Sequence, residues 1–131
     1  YGLSVETHFA EANNQILVAV QIEDILAVNN IDEILSVEGI DAAFIGPYDL
    51  SASMGITAQF DHPNYTDARD KILESCRRNN VVPGIHIVQP NPNEAIKRIK
   101  DGFKLLAYSL DITMVQKACI EGLSEIRKTI S

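Results

Sequence analysis

The 131-residue sequence is poor in basic side chains and has no long apolar run. Its 11 Lys and Arg are outnumbered by 18 Asp and Glu, which gives a formal net charge of -7. Nucleic-acid-binding surfaces need clustered basic residues to neutralise phosphates, so we expect no nucleic-acid partner. A membrane-spanning helix needs about 20 consecutive apolar residues, and a targeting leader needs a charged and then an apolar segment. The sequence shows neither pattern, so we expect no membrane contact and no targeting signal.

Cysteine is also scarce. Cys76 and Cys119 lie far apart, and both fall in segments with a helical pattern. Secreted domains held together by disulfides instead carry several cysteines at framework spacings. We therefore expect two reduced thiols and a cytoplasmic protein.

What the sequence does contain is a regular alternation of strand-like and helix-like segments. With 46% hydrophobic and 22% charged residues, it can bury a core. Strands are predicted at residues 16–22, 42–45, 81–87 and 103–109. Helices are predicted at residues 6–12, 25–38, 49–54, 66–80, 94–100 and 111–130. Strands that alternate with helices are typical of parallel sheets with crossover helices. The sequence thus predicts an α/β fold of four βα units in one domain, residues 1–131.

Local signals add detail to these segments. The first strand lacks polar alternation, which is typical of a strand buried on both faces. Asn29 and Asn30 are a candidate break in the helix at 25–38, and Gly39 is its candidate C-cap. Asp111, together with Thr113, is expected to cap the last helix.

Two acidic residues follow the first two predicted strands. In parallel α/β folds the reactive groups lie at the carboxyl ends of the strands, where Glu23 and Asp49 stand. Neighbouring strands lie about 4.8 Å apart, so the two carboxylates would repel unless a cation lay between them. Mg²⁺ or Mn²⁺ suits carboxylate and water ligands. The alternative is that each acid only stabilises the start of the helix that follows it.

The turn after the second strand is a candidate anion site. Gly46 allows close approach of a ligand to the backbone, and the N–H groups of Tyr48 and Asp49 open a helix. The alternative is an ordinary strand-to-helix turn with Pro47 near the helix start.

Other reactive side chains are few. His86 near the end of the third strand is either a general base or metal ligand, or a packed, hydrogen-bonded side chain. No lysine lies in the interior of a predicted strand, because Lys104 stands at a strand start, so a Schiff-base mechanism is not supported.

Three blocks together resemble the HpcH/HpaI aldolase family: Val-Gln-Ile-Glu at 20–23, Val-Glu-Gly-Ile-Asp at 37–41 and Phe-Ile-Gly-Pro-Tyr-Asp-Leu-Ser at 44–51. The likeness continues through 62–63, 83–85 and 102–103. It implies a (β/α)₈ TIM barrel, which needs about 250 residues. On that basis the chain is the C-terminal half of a barrel, strands five to eight. We expect either more chain than this sequence or pairing with another copy, and hence a homo-oligomer.

The resemblance also implies a class II aldolase. Such enzymes cleave 4-hydroxy-2-oxo acids or 2-keto-3-deoxy sugar acids to pyruvate and an aldehyde, with Mg²⁺, Mn²⁺ or Co²⁺ as cofactor. The implied metal ligands are Glu23 and Asp49. The implied substrate-binding residues are Gln21, Gly46, Pro47, Tyr48 and Asp49. The catalytic His and Arg of the family belong to the first half of the barrel, so no catalytic residue is assigned in this chain.

The chain departs from the family pattern at three places. Tyr48 replaces a small residue, His86 replaces an apolar one, and Tyr-Ser-Leu-Asp at 108–111 replaces a glycine-containing ending. These departures leave the exact substrate open. Two other functions remain: a non-catalytic half-barrel binding module, and a lyase of the citrate lyase β-subunit type that acts on a CoA thioester.

Overall fold

The computed structural model of the chain describes residues 4–130 and contains a four-stranded parallel sheet. The strands are β1 (Ala19–Ile22), β2 (Ala42–Ile45), β3 (Val82–Ile87) and β4 (Leu105–Tyr108), and they lie side by side in chain order. Ile22 pairs with Ile45, and Ile45 with Ile85. The predicted parallel α/β arrangement is confirmed, and the carboxyl ends of the strands share one edge.

Seven helices flank and connect these strands in the described part of the chain. They are α1 (Val5–Gln15), α2 (Ile25–Asn29), α3 (Ile31–Leu35), α4 (Pro47–Ser53), α5 (Pro63–Asn79), α6 (Pro92–Asp101) and α7 (Asp111–Lys128). None of them is both long and apolar enough to cross a membrane.

Three helices begin two or three residues earlier than predicted, each at a proline. Proline suits the first helical position, because its fixed φ is helical and its missing N–H has no intrahelical partner there. The side chain before two of these prolines also caps the helix. His62 Nδ1 accepts a hydrogen bond from the N–H of Asn64 at 3.1 Å, and Asn91 Oδ1 accepts one from the N–H of Asn93 at 3.0 Å.

The first strand is shorter and more exposed than predicted. It begins at Ala19, and the preceding apolar residues of the predicted run, Ile16, Leu17 and Val18, are exposed. Only Ile22 of the strand is fully buried. The expectation of a strand buried on both faces is therefore wrong here, because Ala19 and Gln21, which share one face of β1, are exposed, whereas Ile22 on the other face is buried.

The predicted helix at 25–38 is two short helices. Asn30 breaks it, with φ of -102° and ψ of 17°, while its backbone N–H and its side-chain amide both donate to the carbonyl of Leu26. The second helix ends at Leu35 with Ser36 as its C-cap. Gly39 is thus not the C-cap. It adopts a φ of +92° in the turn beyond the helix, where a side chain would be strained.

The core lies between the sheet and the helices α2 to α5. Its fully buried members include Ile22, Ile45, Leu50 and Ile72. Asp32 on α3 links that helix to α5 by accepting a hydrogen bond from Ser75 at 2.5 Å and one from Arg78 at 2.7 Å. These two contacts, the serine first, lower the pKa of the Asp32 carboxyl.

Both cysteines are free thiols, as predicted. Cys76 is buried in the core and Cys119 is exposed on α7. Burial raises the pKa of the Cys76 thiol to about 11, so this residue stays protonated at neutral pH and packs as an apolar side chain.

The last helix, α7, has no buried residue. Its apolar side chains are largely exposed, among them Ile112, Val115, Leu123 and Ile126. An amphipathic helix normally buries its apolar stripe against another element, and within residues 4–130 nothing covers this one.

Gly84 in β3 offers a test of the sheet packing. A methyl group added there would lie 2.8 Å from Cδ2 of Phe44 and 3.3 Å from the carbonyl oxygen of Ala43. We expect Gly84→Ala to lower the free energy of unfolding by about 1–3 kcal/mol, since it overpacks the sheet. Gly122→Ala, on α7 with no atom within 4 Å, is the control and should raise it by about 1 kcal/mol. The free energy of unfolding is measured by chemical denaturation. Equal changes in it for Gly84→Ala and Gly122→Ala would contradict this packing.

Candidate active site

The register of β1 and β2 brings two sequence blocks to the same edge of the sheet. Gln21 pairs with Phe44 and Ile22 with Ile45, so residue 23 and residue 46 follow directly at the carboxyl ends. The N–H of Gly46 donates to the carbonyl of Ile22 at 3.2 Å and carries the ladder one step beyond the strands. The predicted meeting of these strand ends is thus present.

Gln21, Glu23 and Gly46 are in direct contact. The side-chain amide of Gln21 donates to Oε2 of Glu23 at 2.6 Å. A methyl group at position 46 would lie 3.0 Å from Nε2 of Gln21 and 3.2 Å from Oε2 of Glu23. Glycine is needed here for this close approach and not for its backbone angles, since the φ of -90° suits any residue.

Asp49 lies in the first turn of α4, which Pro47 opens. Its side chain is exposed and makes no hydrogen bond or ion pair with any residue between 4 and 130. The helix ladder starts with the N–H of Leu50, which donates to the carbonyl of Gly46 at 2.9 Å. The N–H groups of Tyr48 and Asp49 precede that ladder.

Each acid has two interpretations, as a metal ligand or as a residue that stabilises a helix start. The structure decides against the helix-start interpretation for Glu23 but not for Asp49. Glu23 does not cap the helix that follows it, because Asp24 does so by accepting from the N–H of Leu26 at 2.7 Å. Asp49 does stand in a first turn, where an acidic side chain is favoured by the helix dipole in any case. Glu23 is therefore the carboxylate that a helix start does not account for.

His86 is held by a local contact. It is half-buried on β3, and its Nε2 donates to the carbonyl of Ser109 at 3.3 Å. Ser109 adopts a φ of +63° at the end of β4, and its hydroxyl donates to the carbonyl of Val88 at 3.0 Å. This arrangement favours the interpretation of His86 as a packed, hydrogen-bonded side chain.

Asp111 is not the N-cap of the last helix. It is the first helical residue, with Leu110 in the cap position, and its carboxylate accepts from the N–H of Ile112 at 2.7 Å. The predicted cap is thus wrong by one residue, although the carboxylate still binds a free N–H at the helix start.

Glu23 and Asp49 are the two candidate protein ligands for a divalent ion at this edge. Between residues 4 and 130, no three His, Cys, Asp or Glu side chains are grouped closely enough to hold a metal ion by themselves. Glu23 and Asp49 are both exposed, and oxygen ligands are those that Mg²⁺ and Mn²⁺ prefer. Because Mg²⁺ keeps several waters or substrate oxygens, two carboxylates on adjacent strand ends fit such an ion.

A cavity that the sequence pattern does not indicate lies beside this turn. It has a volume of about 240 Å³ and is bounded by Tyr48, by Tyr65 of α5, by the end of β3 and by Arg98 of α6. Arg98 is buried and pairs with Glu94 at 2.5 Å and Asp101 at 3.0 Å. The spacing of these charges on one helix could have indicated the ion pairs, but not their burial.

The fold and these strand ends define a parallel α/β protein with a polar site at the carboxyl edge of its sheet. A model of the HpcH/HpaI aldolase/citrate lyase family matches residues 3–118, and the chain belongs to this family. The 4-hydroxy-2-oxo-heptane-1,7-dioate aldolase of Escherichia coli is 36% identical over 114 residues, which are 87% of this chain and 43% of that protein. A hydroxypyruvate/pyruvate aldolase of Chromohalobacter salexigens is 28% identical over 95% of this chain and 48% of its own length.

A solved structure shows the same fold. The HpcH/HpaI aldolase of Desulfitobacterium hafniense superposes with a TM-score of 0.87 at 30% identity, over 97% of this chain and 49% of the other. The chain thus spans less than half the length of the curated relatives named above.

Gly46→Ala tests the contact between the two strand ends. The added methyl group would press on the Gln21 amide and the Glu23 carboxylate, so we expect their hydrogen bond to be displaced. The measurement is the side-chain NH₂ resonance of Gln21 in a ¹⁵N-correlated spectrum, which should shift. Gly122→Ala, where the methyl group meets nothing, should leave it unchanged. A Gln21 signal unaltered by Gly46→Ala would refute the contact.

Proposed function

We propose that this chain supplies the metal- and pyruvate-binding part of a class II aldolase. The reaction is reversible cleavage of a 4-hydroxy-2-oxo acid or a 2-keto-3-deoxy sugar acid to pyruvate and an aldehyde. The observation that carries the proposal is the contact of Gln21 and Glu23 with Gly46, at the same sheet edge as Asp49. Its second support is membership of a family with aldolases among its members.

We further propose that the four βα units are strands five to eight of a (β/α)₈ barrel. Three observations support this. The strands are parallel and lie in chain order, as barrel strands do. Within the described part, β1 and β4 each have one neighbour, and the apolar side of α7 is uncovered. The remaining strands come either from further chain or from a second copy in a homo-oligomer.

In this proposal the residues at the edge have different tasks, and Asp49 has two. Glu23 and Asp49 hold a divalent ion, which supplies Lewis-acid polarisation of the 2-oxo group when bound. Gln21 orients Glu23 through its 2.6 Å hydrogen bond. The N–H groups of Tyr48 and Asp49 are placed to receive the pyruvate carboxylate, and buried Pro47 fixes the turn that presents them.

In the described part of the chain, this edge carries no unengaged imidazole to act as the base for the 4-hydroxyl proton. His86 is engaged with the carbonyl of Ser109. In the family resemblance the catalytic His and Arg belong to the first half of the barrel, so those groups come from outside this sequence. This observation also favours a second candidate function, a binding module that takes up metal and pyruvate without turnover.

Glu23→Gln tests the proposed function. The change keeps the shape of the side chain but removes its charge, so we expect metal affinity and aldol cleavage to fall by more than about 100-fold. Cleavage by the intact protein is followed as pyruvate release with Mg²⁺ or Mn²⁺, and metal affinity by calorimetry. Glu33→Gln, which removes an exposed carboxylate on α3, is the matched control and should change neither.

Removal of the metal completes this test. EDTA should abolish pyruvate release, and added Mg²⁺ or Mn²⁺ should restore it. Cleavage indifferent to EDTA, or Glu23→Gln as active as the unchanged protein, would refute the metal-dependent mechanism. Binding of metal and pyruvate without any cleavage would instead establish the non-catalytic module.

A further inference from the structure

The cavity beside Tyr48 has an aromatic wall. The rings of Tyr48 and Phe60 meet edge to face with centroids 5.1 Å apart, and Phe60 and Tyr65 lie 5.5 Å apart. Ile85 and Ile87 of β3, both buried, complete the apolar lining. An apolar cavity of about 150 Å³ is large enough for benzene. At about 240 Å³, this cavity has room for a six-membered ring with a short substituent.

One polar group in this wall has no partner. Tyr65 is 1% exposed and makes no side-chain hydrogen bond with any residue between 4 and 130. Among the described residues no fully buried side-chain oxygen or nitrogen lacks a partner, so the Tyr65 hydroxyl keeps some accessible surface where the residue lines the cavity. Burial raises the pKa of Tyr65 to about 12, and the group therefore stays a hydrogen-bond donor at neutral pH. The hydroxyl has no protein acceptor, so an acceptor on a ligand in the cavity is able to take its hydrogen bond.

The charged groups around the cavity include no free cation. Arg98 lines it and is 4% exposed, but its guanidinium is bound by two carboxylates, those of Glu94 and Asp101. Together the three groups carry one negative charge. An anion would find no unpaired cation among them, and it would lose its hydration on entry. The cavity therefore disfavours an anion, and a hydrogen bond from Tyr65 needs only an uncharged acceptor.

We propose that this cavity binds a small, uncharged carbonyl compound with an aromatic or branched apolar body, whose oxygen accepts a hydrogen bond from Tyr65. Pro47 and Tyr48 line the cavity and also form the turn assigned to pyruvate, so the bound molecule lies beside that site. An aldehyde is a compound of this kind. Assigning the cavity to the aldehyde of the aldol reaction rests on the proposed function, whereas the binding itself does not.

The test is a titration of the intact, metal-free protein with three probes of similar size. Binding is measured by calorimetry and by ligand-detected NMR. Acetophenone, which has a ring and a carbonyl, should bind saturably with one molecule per chain. Ethylbenzene, which lacks the acceptor, should bind about 3–10-fold more weakly, the range expected for one hydrogen bond. Benzoate, which is charged, should show no saturable binding.

Tyr65→Phe keeps the ring and removes only the hydroxyl. It should abolish the preference for acetophenone over ethylbenzene, while Tyr108→Phe, on the exposed end of β4, should retain it. Phe60→Leu removes one ring from the wall and should weaken the binding of acetophenone and of ethylbenzene by the same factor. No saturable acetophenone binding, equal binding of benzoate, or a preference that survives Tyr65→Phe would overturn the proposal.

The same titration separates this inference from the proposed function. Because the probes are not turned over and no metal is present, Glu23→Gln should leave acetophenone binding unchanged. In the active protein, acetophenone should compete with the aldehyde and not with pyruvate. Competition with pyruvate would overturn the assignment of the cavity to the aldehyde.

Discussion

Parallel pairing of β1 with β2 in a single register is the constraint on which the candidate site depends. Ile22 pairs with Ile45, and the bond from the N–H of Gly46 to the carbonyl of Ile22 continues that register past the strands. Because side chains alternate along a strand, a shift by one residue would turn Glu23 to the opposite face of the sheet and move Ile22 out of the core. Burial of Ile22 and Ile45 in the core therefore also fixes where the two carboxylates lie.

The residues around this edge are of two kinds, buried apolar side chains that pack in the core and exposed carboxylates. Ile22, Ile45 and Leu50 are buried and bind the edge to the core, while Glu23 and Asp49 remain exposed. Gly46 joins the two groups, since it is buried and yet leaves room for the Gln21 amide against its backbone. Exposed carboxylates held in place by a packed core are what the proposed metal site requires.

The alternation of apolar runs and helical patterns was enough to predict four parallel βα units and to place Glu23 and Gly46 at one edge. The solvent exposure of these segments was harder to predict. An apolar run such as Ile16 to Val18 has the same sequence pattern whether it is exposed, as here, or buried in a central strand. The sequence pattern places three helix starts too late, because proline is common in loops as well as at the first helical position. The burial of Tyr65 and Arg98 depends on how α5 and α6 pack together on the sheet, which no local pattern reveals.

The central claim is that the ends of β1 and β2 hold a divalent metal ion. Titration of Mn²⁺ into the ¹⁵N-labelled intact protein tests it most directly, because a paramagnetic ion broadens the signals nearest to it. The account predicts that the amide signals of residues 21–23 and 46–49, with the side-chain NH₂ of Gln21, broaden first and that EDTA restores them. Broadening that begins elsewhere on the acidic surface, and leaves these signals sharp, would contradict it.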